Sequence, residues 1–184
     1  MANHKKNATS IWTALLPVFA LLCGCAATRP PIHTEAHVDL QRFMGSWYVI
    51  ANIPTWVEVG AYNAVESYRL DDDGTIDTTF RFRADGFDGE EKIHHPRGFV
   101  LDKESNAVWG MQFVWPIKGD YRIVHVSQDH QRTIIGREKR DYVWIMARTP
   151  QISDSDYQDL LGIVREQGYP MDLVCKVPQR WPEP

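Results

Sequence analysis

The sequence lacks an apolar run long enough to cross a bilayer as a helix. Residues 11–22 are mainly apolar, but this stretch has only 12 residues, whereas a spanning helix needs about 20. Lys5 and Lys6 precede it, and Pro17 interrupts it. A basic start followed by a short apolar stretch is typical of an export signal peptide. The N-terminus is therefore predicted to be a cleaved signal and not a transmembrane anchor.

Cysteine is scarce too, and the complete set is Cys23, Cys25 and Cys175. Residues 22–25, LCGC, resemble the lipobox of bacterial lipoproteins, in which small residues precede the modified cysteine. On this resemblance, residues 1–25 are a lipoprotein signal peptide ending at the lipidated Cys25. Cys23 is an alternative acceptor, but a leucine would then stand where a small residue is required. A second alternative is an ordinary secretory cleavage near Ala26, which would give a soluble periplasmic protein.

Positive charge is limited as well. Removal of the signal leaves 18 of the 20 Lys and Arg against 24 Asp and Glu, a net charge of about −6. Such a chain, without an extended basic segment, is not expected to bind nucleic acid. With Cys25 acylated and Cys23 removed, Cys175 is the one remaining thiol, so no disulfide framework is expected. We expect the Cys175 thiol to be buried and inert.

The segment between the signal and the folded domain has few large apolar side chains. Residues 26–38 contain Pro30 and Pro31, a composition that favours an extended, solvated tether. One folded domain is expected at residues 39–178, because the chain is too short for two cores of ordinary size. Residues 179–184 are predicted to be a loose tail.

Helical periodicity is weak between Trp47 and Thr149. Short runs rich in Val, Ile, Tyr, Phe, Trp and Thr occur there, separated by turn signals such as Asp73-Gly74. The predicted strands are 46–53, 63–70, 75–83, 91–101, 107–115, 120–127, 132–138 and 142–149. Eight strands in about a hundred residues is the number for a small closed barrel.

Alternation along two of these strands indicates which side chains point into the barrel. In residues 107–115 the large side chains share one face, and in residues 75–83 aromatic side chains oppose charged ones. The predicted inward residues are Ile76, Thr78, Phe80, Phe82, Trp109, Met111, Phe113 and Trp115.

One helix is predicted, at about residues 153–167. Ser153 is a suitable N-cap, and Gly168 suits the left-handed position that ends a helix. The apolar face of the helix is expected to comprise Tyr157, Leu160, Leu161 and Val164, at helical spacing. Such a helix is expected to pack on the outside of the barrel.

Two motifs at opposite ends of the barrel sequence resemble the signatures of the lipocalin family. Gly45 and Trp47 match the G-x-W pattern in the first strand, and Arg148 ends a segment that resembles the last-strand motif. A middle motif is matched in part by Asp129, with Gln131 where the family has tyrosine. The resemblance implies that Trp47 plugs the closed end of the barrel and that Arg148 packs over it as a cation–π pair.

The resemblance is to the bacterial outer-membrane lipocalins related to apolipoprotein D, over roughly residues 39–178. It implies an all-β fold, an eight-stranded up-and-down antiparallel barrel with one C-terminal helix packed outside. It also implies an apolar ligand, a fatty acid or a lysophospholipid, under a lid that follows the first strand. The expected ligand-binding residues are Trp56, Tyr62, Phe80, Phe82, Trp109, Met111 and Phe113.

Signal and barrel together predict a carrier that stores or transports lipids at the cell envelope. The chain would be anchored in the outer membrane through acylated Cys25, with the barrel facing the periplasm. No cofactor is expected. The side-chain patterns do not determine the oligomeric state.

No catalytic motif of the G-x-S-x-G, H-E-x-x-H or phosphate-loop type occurs in the sequence. We therefore expect a carrier, not an enzyme. Two alternatives stay open: a lipid-modifying or isomerising enzyme in the same barrel, and a structural envelope protein whose barrel is filled by side chains. The residues His94, His95, His125 and His130 lack the spacing of a structural zinc site, so no metal is expected.

Overall fold

The computed structural model describes Met1 and residues 29–183 of the chain. Apart from Met1, the predicted signal peptide with Cys25 lies outside the described residues, as does the start of the predicted tether. The barrel and the elements packed on it belong to one unit, Pro31–Pro184.

Nine strands build the barrel wall. They are β1 (Gly45–Ile53), β2 (Ala61–Leu70), β3 (Thr75–Ala84), β4 (Glu91–His94), β5 (Arg97–Val100), β6 (Val108–Val114), β7 (Ile117–Val126), β8 (Arg132–Gly136) and β9 (Val143–Ala147). Neighbours pair antiparallel along the chain, and β9 returns to pair with β1. Because β4 and β5 both pair with β3, they count as one interrupted strand of the barrel wall. The predicted eight-stranded closed barrel is confirmed.

One end of the barrel is closed by aromatic side chains. A single helical turn, α1 (Leu40–Phe43), precedes β1 and carries the buried Phe43. The Phe43 ring centroid lies 5.1 Å from that of Trp47 and 5.6 Å from that of Trp109. Each indole N–H donates to a backbone carbonyl, Trp47 to Phe43 at 2.9 Å and Trp109 to Asn106 at 2.7 Å. Both buried indoles are thus satisfied, and this end has a packed floor.

The predicted external helix is confirmed as α2 (Asp154–Glu166). The Ser153 hydroxyl caps it by accepting from the Asp156 N–H at 3.1 Å, and Gly168 follows its end with φ +81°. Its buried residues Tyr157, Leu160 and Val164 pack against the outer face of the barrel. Within residues 29–183, no helix is long and apolar enough to span a membrane.

Two apolar residues in the second half of the predicted tether pack on the barrel, while His33, Ala36 and His37 are exposed. Ile32 and Val38 are buried. The Glu35 N–H donates to the Ile123 carbonyl at 3.0 Å, and its carboxylate accepts from the Val126 N–H at 2.7 Å. These hydrogen bonds fix the segment along β7, and the two apolar side chains stabilise it by leaving water.

The C-terminal segment also differs from the loose tail that was predicted. β1 and β2 pair only near the closed end, and the chain after the short strand β10 (Cys175–Lys176) lies between them further along. The Gln179 side-chain amide donates to the carbonyls of Val49 in β1 and Ala64 in β2, at 2.8 and 3.1 Å. The segment therefore completes the wall where two strands separate, which gives its backbone and amide groups partners.

The Cys175 thiol is exposed, which corrects the expectation of a buried one. Cys175 lies in β10, which pairs with β1 at Asn52. Its Sγ contacts the Leu173 carbonyl at 3.6 Å. A two-residue strand gives the thiol too little cover to remove it from water.

Candidate functional site

Above the aromatic floor, the barrel interior holds a cavity of about 450 Å³. Strands β2, β3, β6, β7 and β9 contribute side chains to it, together with the β1–β2 and β8–β9 connections at the open end. Its lining residues are Thr55, Trp56, Val57, Glu58, Glu66, Phe80, Met111, Phe113, Val114, Ile117, Gly119, Asp120, Tyr121, Arg137, Tyr142 and Trp144. The wall is mainly apolar and the volume is in the range of small-molecule sites.

Four of the seven predicted ligand-binding residues line this cavity. They are Trp56, Phe80, Met111 and Phe113. Phe80 and Met111 are buried in the wall, whereas Trp56 is 85% exposed at the mouth.

The other three predicted residues lie elsewhere. Trp109 is fully buried in the floor, where it stacks on Tyr121 with centroids 5.7 Å apart. Phe82 is buried on the Phe80 side of β3, 5.3 Å from that ring. Tyr62 packs edge-on against Phe87 at 4.9 Å. Alternation placed Phe82 and Trp109 on the inward face, but it does not give the position of a side chain along the barrel axis.

The end of β6 departs from the predicted alternation. Trp115 was expected to point inward with Trp109, but it is 82% exposed, and Phe113 is 57% exposed. The pairing of β6 with β7 shifts register between Met111 and Val114. Such an irregularity breaks the strict alternation of a strand, so the last apolar side chains of β6 lie at the mouth.

The connection between β1 and β2 lies at the cavity mouth, and a hydrogen bond between Glu58 and Trp144 holds it in place. Trp56 and Val59 are exposed, but Glu58 is buried. Its carboxyl oxygens accept from the Thr55 N–H at 2.9 Å and from the Trp144 indole N–H at 3.0 Å. Burial raises the pKa of Glu58, and these hydrogen bonds oppose the rise.

A second buried acid, Glu66 in β2, faces the lower part of the cavity. It hydrogen-bonds to Tyr68 and Tyr121, whose hydroxyl groups also bond to each other. Burial raises the pKa of Glu66 to about 8, and the neighbouring Glu58 adds to the rise. Glu66 is therefore protonated and neutral at pH 7.

The sequence analysis did not identify these polar residues, nor the rings of Tyr121, Tyr142 and Trp144. Glu66 shares an inward face with Ala64 and Tyr68, both buried, so alternation along β2 was the available signal. Glu58 carries no such signal, because it lies in a loop whose path depends on Trp144.

The predicted signature residues meet at the closed end. The Arg148 guanidinium carbon lies 3.6 Å from the Trp47 ring centroid. Gly45 has φ +91°, and a Cβ there would lie 3.4 Å from Arg148 Nη1. Asp129 accepts from the Ser127 hydroxyl at 2.6 Å and from the Gln131 N–H at 3.1 Å.

The four histidines of the metal hypothesis are dispersed. His94 stacks on Phe80 at 6.3 Å, and His125 Nδ1 lies 3.6 Å from a Glu35 carboxylate oxygen. Over residues 29–183, no group of three or more His, Cys, Asp or Glu is arranged to hold a metal ion.

Comparisons with known proteins find both similar sequences and similar folds. A family model described as a lipocalin-like domain matches residues 38–179. The outer membrane lipoprotein Blc of Citrobacter freundii is 27% identical, over 90% of this chain and 97% of its own length. Bovine apolipoprotein D is 28% identical, over 75% of this chain and 79% of its own.

Insecticyanin from the tobacco hornworm, a solved structure, superposes with a TM-score of 0.66 at 11% identity. The superposition covers 84% of this chain and 87% of insecticyanin. That likeness concerns the fold alone. With the family model spanning the whole barrel, the chain belongs to the lipocalin family.

Proposed function

We propose that this lipocalin is a membrane-tethered carrier of single-chain lipids, fatty acids or lysophospholipids, which it holds in the barrel. The observation that carries the proposal is the cavity of about 450 Å³, walled by Phe80, Met111, Trp144 and other apolar side chains and open at the mouth. A structural protein with a filled barrel would not need this space. An enzyme would also need a reactive group positioned against its substrate, whereas a carrier needs only a cavity that fits its ligand.

The apolar wall is sufficient to drive binding of one acyl chain. A chain of about 15 methylenes gains roughly 12 kcal/mol in transfer free energy, at about 0.8 kcal/mol for each group. Loss of translational freedom and ordering of the chain remove a large share. We expect micromolar to submicromolar dissociation constants.

The tether is the second part of the proposal. We infer that Cys25 is acylated, that the protein is held in the outer membrane and that the barrel faces the periplasm. The relatives named outer membrane lipoprotein support this location. Several acyl chains are needed because a single chain anchors only marginally.

Lipid analysis of the purified protein tests the carrier proposal directly. The protein is isolated from its native envelope, extracted with organic solvent and analysed by mass spectrometry. A stoichiometric single-chain lipid, absent from a mock purification, is the expected result. Recovery of a chemically altered lipid after incubation with a defined one would instead indicate the enzymatic alternative.

A binding variant makes the same test quantitative. Phe113→Asp introduces a charge into the cavity wall near the mouth, where Phe113 is half exposed and adds little to the fold. We expect weaker binding of both lipid classes with unchanged thermal stability. The proposal fails if neither class binds the parent protein below about 100 μM.

A further inference from the structure

Among the described residues, four acidic or basic side chains line the cavity, and only two of them have an ion-pair partner. Asp120 is paired with Arg122 at 2.9 Å. Arg137 is paired with Asp141 at 3.4 Å, and its guanidinium packs on the Tyr142 ring at 5.1 Å. Both groups at the mouth therefore already have partners of opposite charge.

Glu58 and Glu66 differ from these two groups. Among residues 29–183, neither carboxyl has a Lys, Arg or His within ion-pair distance. Their hydrogen-bond partners are neutral: the Thr55 N–H and the Trp144 indole for Glu58, two tyrosine hydroxyls for Glu66. Buried acids are ordinarily paired with a cation or bound to a metal. The cavity thus holds two acids for which the described chain supplies no positive charge.

The two acids and two aromatic rings form one continuous patch of the wall. Glu58 bonds to Trp144, the Trp144 ring stacks on Tyr121 with centroids 6.1 Å apart, and Tyr121 bonds to Glu66. All four residues line the cavity. Aromatic ring faces attract cations, most strongly where water is excluded.

We propose that this patch binds the positively charged nitrogen of an amphiphile, a primary or quaternary ammonium group, while its alkyl chain occupies the apolar cavity. The inference rests on the proposed carrier function and narrows its ligand. A bound ammonium supplies the charge that the two acids lack and contacts the Tyr121 and Trp144 side chains where they line the cavity. A fatty-acid carboxylate supplies no such charge, and Glu58 and Glu66 could not ionise beside it without like-charge repulsion.

The raised pKa values of the two acids agree with this assignment. With no cation beside Glu66, burial of its charge raises its pKa to about 8 and favours the protonated form at pH 7. A permanent cation beside it favours the ionised form and lowers its pKa. Binding of a quaternary ammonium is therefore expected to release protons, whereas binding of a neutral chain is not.

Three amphiphiles with the same twelve-carbon chain test the proposal: dodecyltrimethylammonium, dodecanol and dodecanoate. Each is added, below its micelle-forming concentration, to the purified full-length Cys25→Ser chain at pH 7. Displacement of the neutral probe N-phenyl-1-naphthylamine reports binding. The binding-site variants are Glu58→Gln, Glu66→Gln and both together. Asp159→Asn, an exposed position on α2, is the matched control for loss of one negative charge.

We expect the cation to bind at least about tenfold more tightly than the anion, which corresponds to about 1.4 kcal/mol. This ratio should fall toward one in the double variant and stay unchanged in Asp159→Asn. Equal or tighter binding of dodecanoate, or a ratio that survives the double substitution, overturns the inference. The parent ratio decides even if a variant does not fold.

The neutral alcohol separates this inference from the carrier proposal. If dodecanol displaces the probe but the cation has no advantage, the ammonium site is wrong and the carrier proposal stands. If none of the three displaces the probe, the carrier proposal fails and the ammonium site with it.

Discussion

The Arg148 guanidinium covers the Trp47 indole at 3.6 Å and is held there by the chain that enters the barrel. Its nitrogens donate to the carbonyls of Ser46 at 2.9 Å, Arg42 at 2.8 Å and Phe43 at 3.0 Å. One side chain that directly follows β9 thus holds both the Trp47 ring and the chain that leads into β1.

A double-mutant cycle tests this arrangement. Trp47→Ala removes a fully buried ring and is expected to lower the free energy of unfolding by about 3–5 kcal/mol. Arg148→Ala should also destabilise, and the two losses should differ from additivity by about 0.5–3 kcal/mol because the side chains touch. Urea denaturation of the parent and three variants measures the cycle. Simple additivity would contradict a stabilising contact.

Because burial raises the pKa of Glu66, we expect the free energy of unfolding to fall as pH rises. The pKa of Glu66 is about 8 in the fold and near the ordinary 4.5 in the unfolded chain. Between these values the folded state binds more protons, so its stabilisation is complete below pH 4.5 and is lost as pH rises to about 8. The loss is expected to be on the order of 1 kcal/mol for each pH unit.

Urea denaturation at several pH values between 5 and 8.5, as rough limits of the pKa window, measures this slope. Glu66→Gln keeps the shape and the hydrogen-bonding oxygen but does not titrate, so its slope should be shallower. Glu58→Gln is the comparison, because the pKa of Glu58 is raised in the same direction. A Glu66→Gln slope identical to the parent's would show that Glu66 is not the titrating group.

Trp109→Ala is expected to affect stability and not the cavity wall. Its indole is fully buried in the floor, so its removal should cost about 3–5 kcal/mol. Trp56→Ala is the control, since Trp56 is 85% exposed, and its effect on unfolding should stay within about 0.5 kcal/mol. Thermal denaturation of the two variants, side by side, provides the comparison. Equal losses would indicate that the two tryptophans have similar surroundings.

Because Gln179 bonds to both β1 and β2, we expect the segment after β10 to stabilise the barrel. Gln179→Ala removes two amide hydrogen bonds and leaves the carbonyls of Val49 and Ala64 without that partner, at a cost of about 1–3 kcal/mol. Gln179→Glu, which has no N–H to donate, should lose at least as much. Gln151→Ala, at an exposed side chain, is the control. Parent-like unfolding of both Gln179 variants would mean that the segment is not part of the wall.

Cys23 and Cys25, which are separated by one glycine, allow a paired test of the lipidation site. Cys25→Ser is expected to accumulate as unprocessed precursor, because serine cannot form the thioether to diacylglycerol. Cys23→Ser should mature normally, since it changes only a residue removed with the signal. Radiolabelled palmitate and electrophoretic mobility distinguish precursor from mature protein. Normal maturation of Cys25→Ser would show that Cys25 is not the lipidation site.

The barrel could be predicted from sequence because each of its features is local. Alternation, turn residues and the capped helix after Pro150 are read within a few residues, and the two signature motifs fix the ends of the barrel. Three cavity residues, Phe80, Met111 and Phe113, followed from the same alternation, and Trp56 followed from the lid that the family resemblance implied.

The remainder of the site depends on contacts between distant parts of the chain. Glu58 is buried at a place where the indole N–H of Trp144, 86 residues later, donates a hydrogen bond to its carboxyl group. Trp109 faces inward as predicted, but its height in the barrel is set by Phe43 and Asn106. The sequence of the C-terminal segment is that of a polar tail, and its place in the wall depends on the gap between β1 and β2. Periodicity carries no information on any of these.

The position of Gln179 also bears on the order in which the chain can fold. It bonds to Val49, 130 residues earlier, and β1 pairs with β9 on the same stretch. The first strand to leave the ribosome therefore keeps an unpaired edge until the final residues have been synthesised. Contacts so distant in sequence form slowly. The barrel wall around Val49 is therefore complete only when the segment that contains Gln179 has left the ribosome.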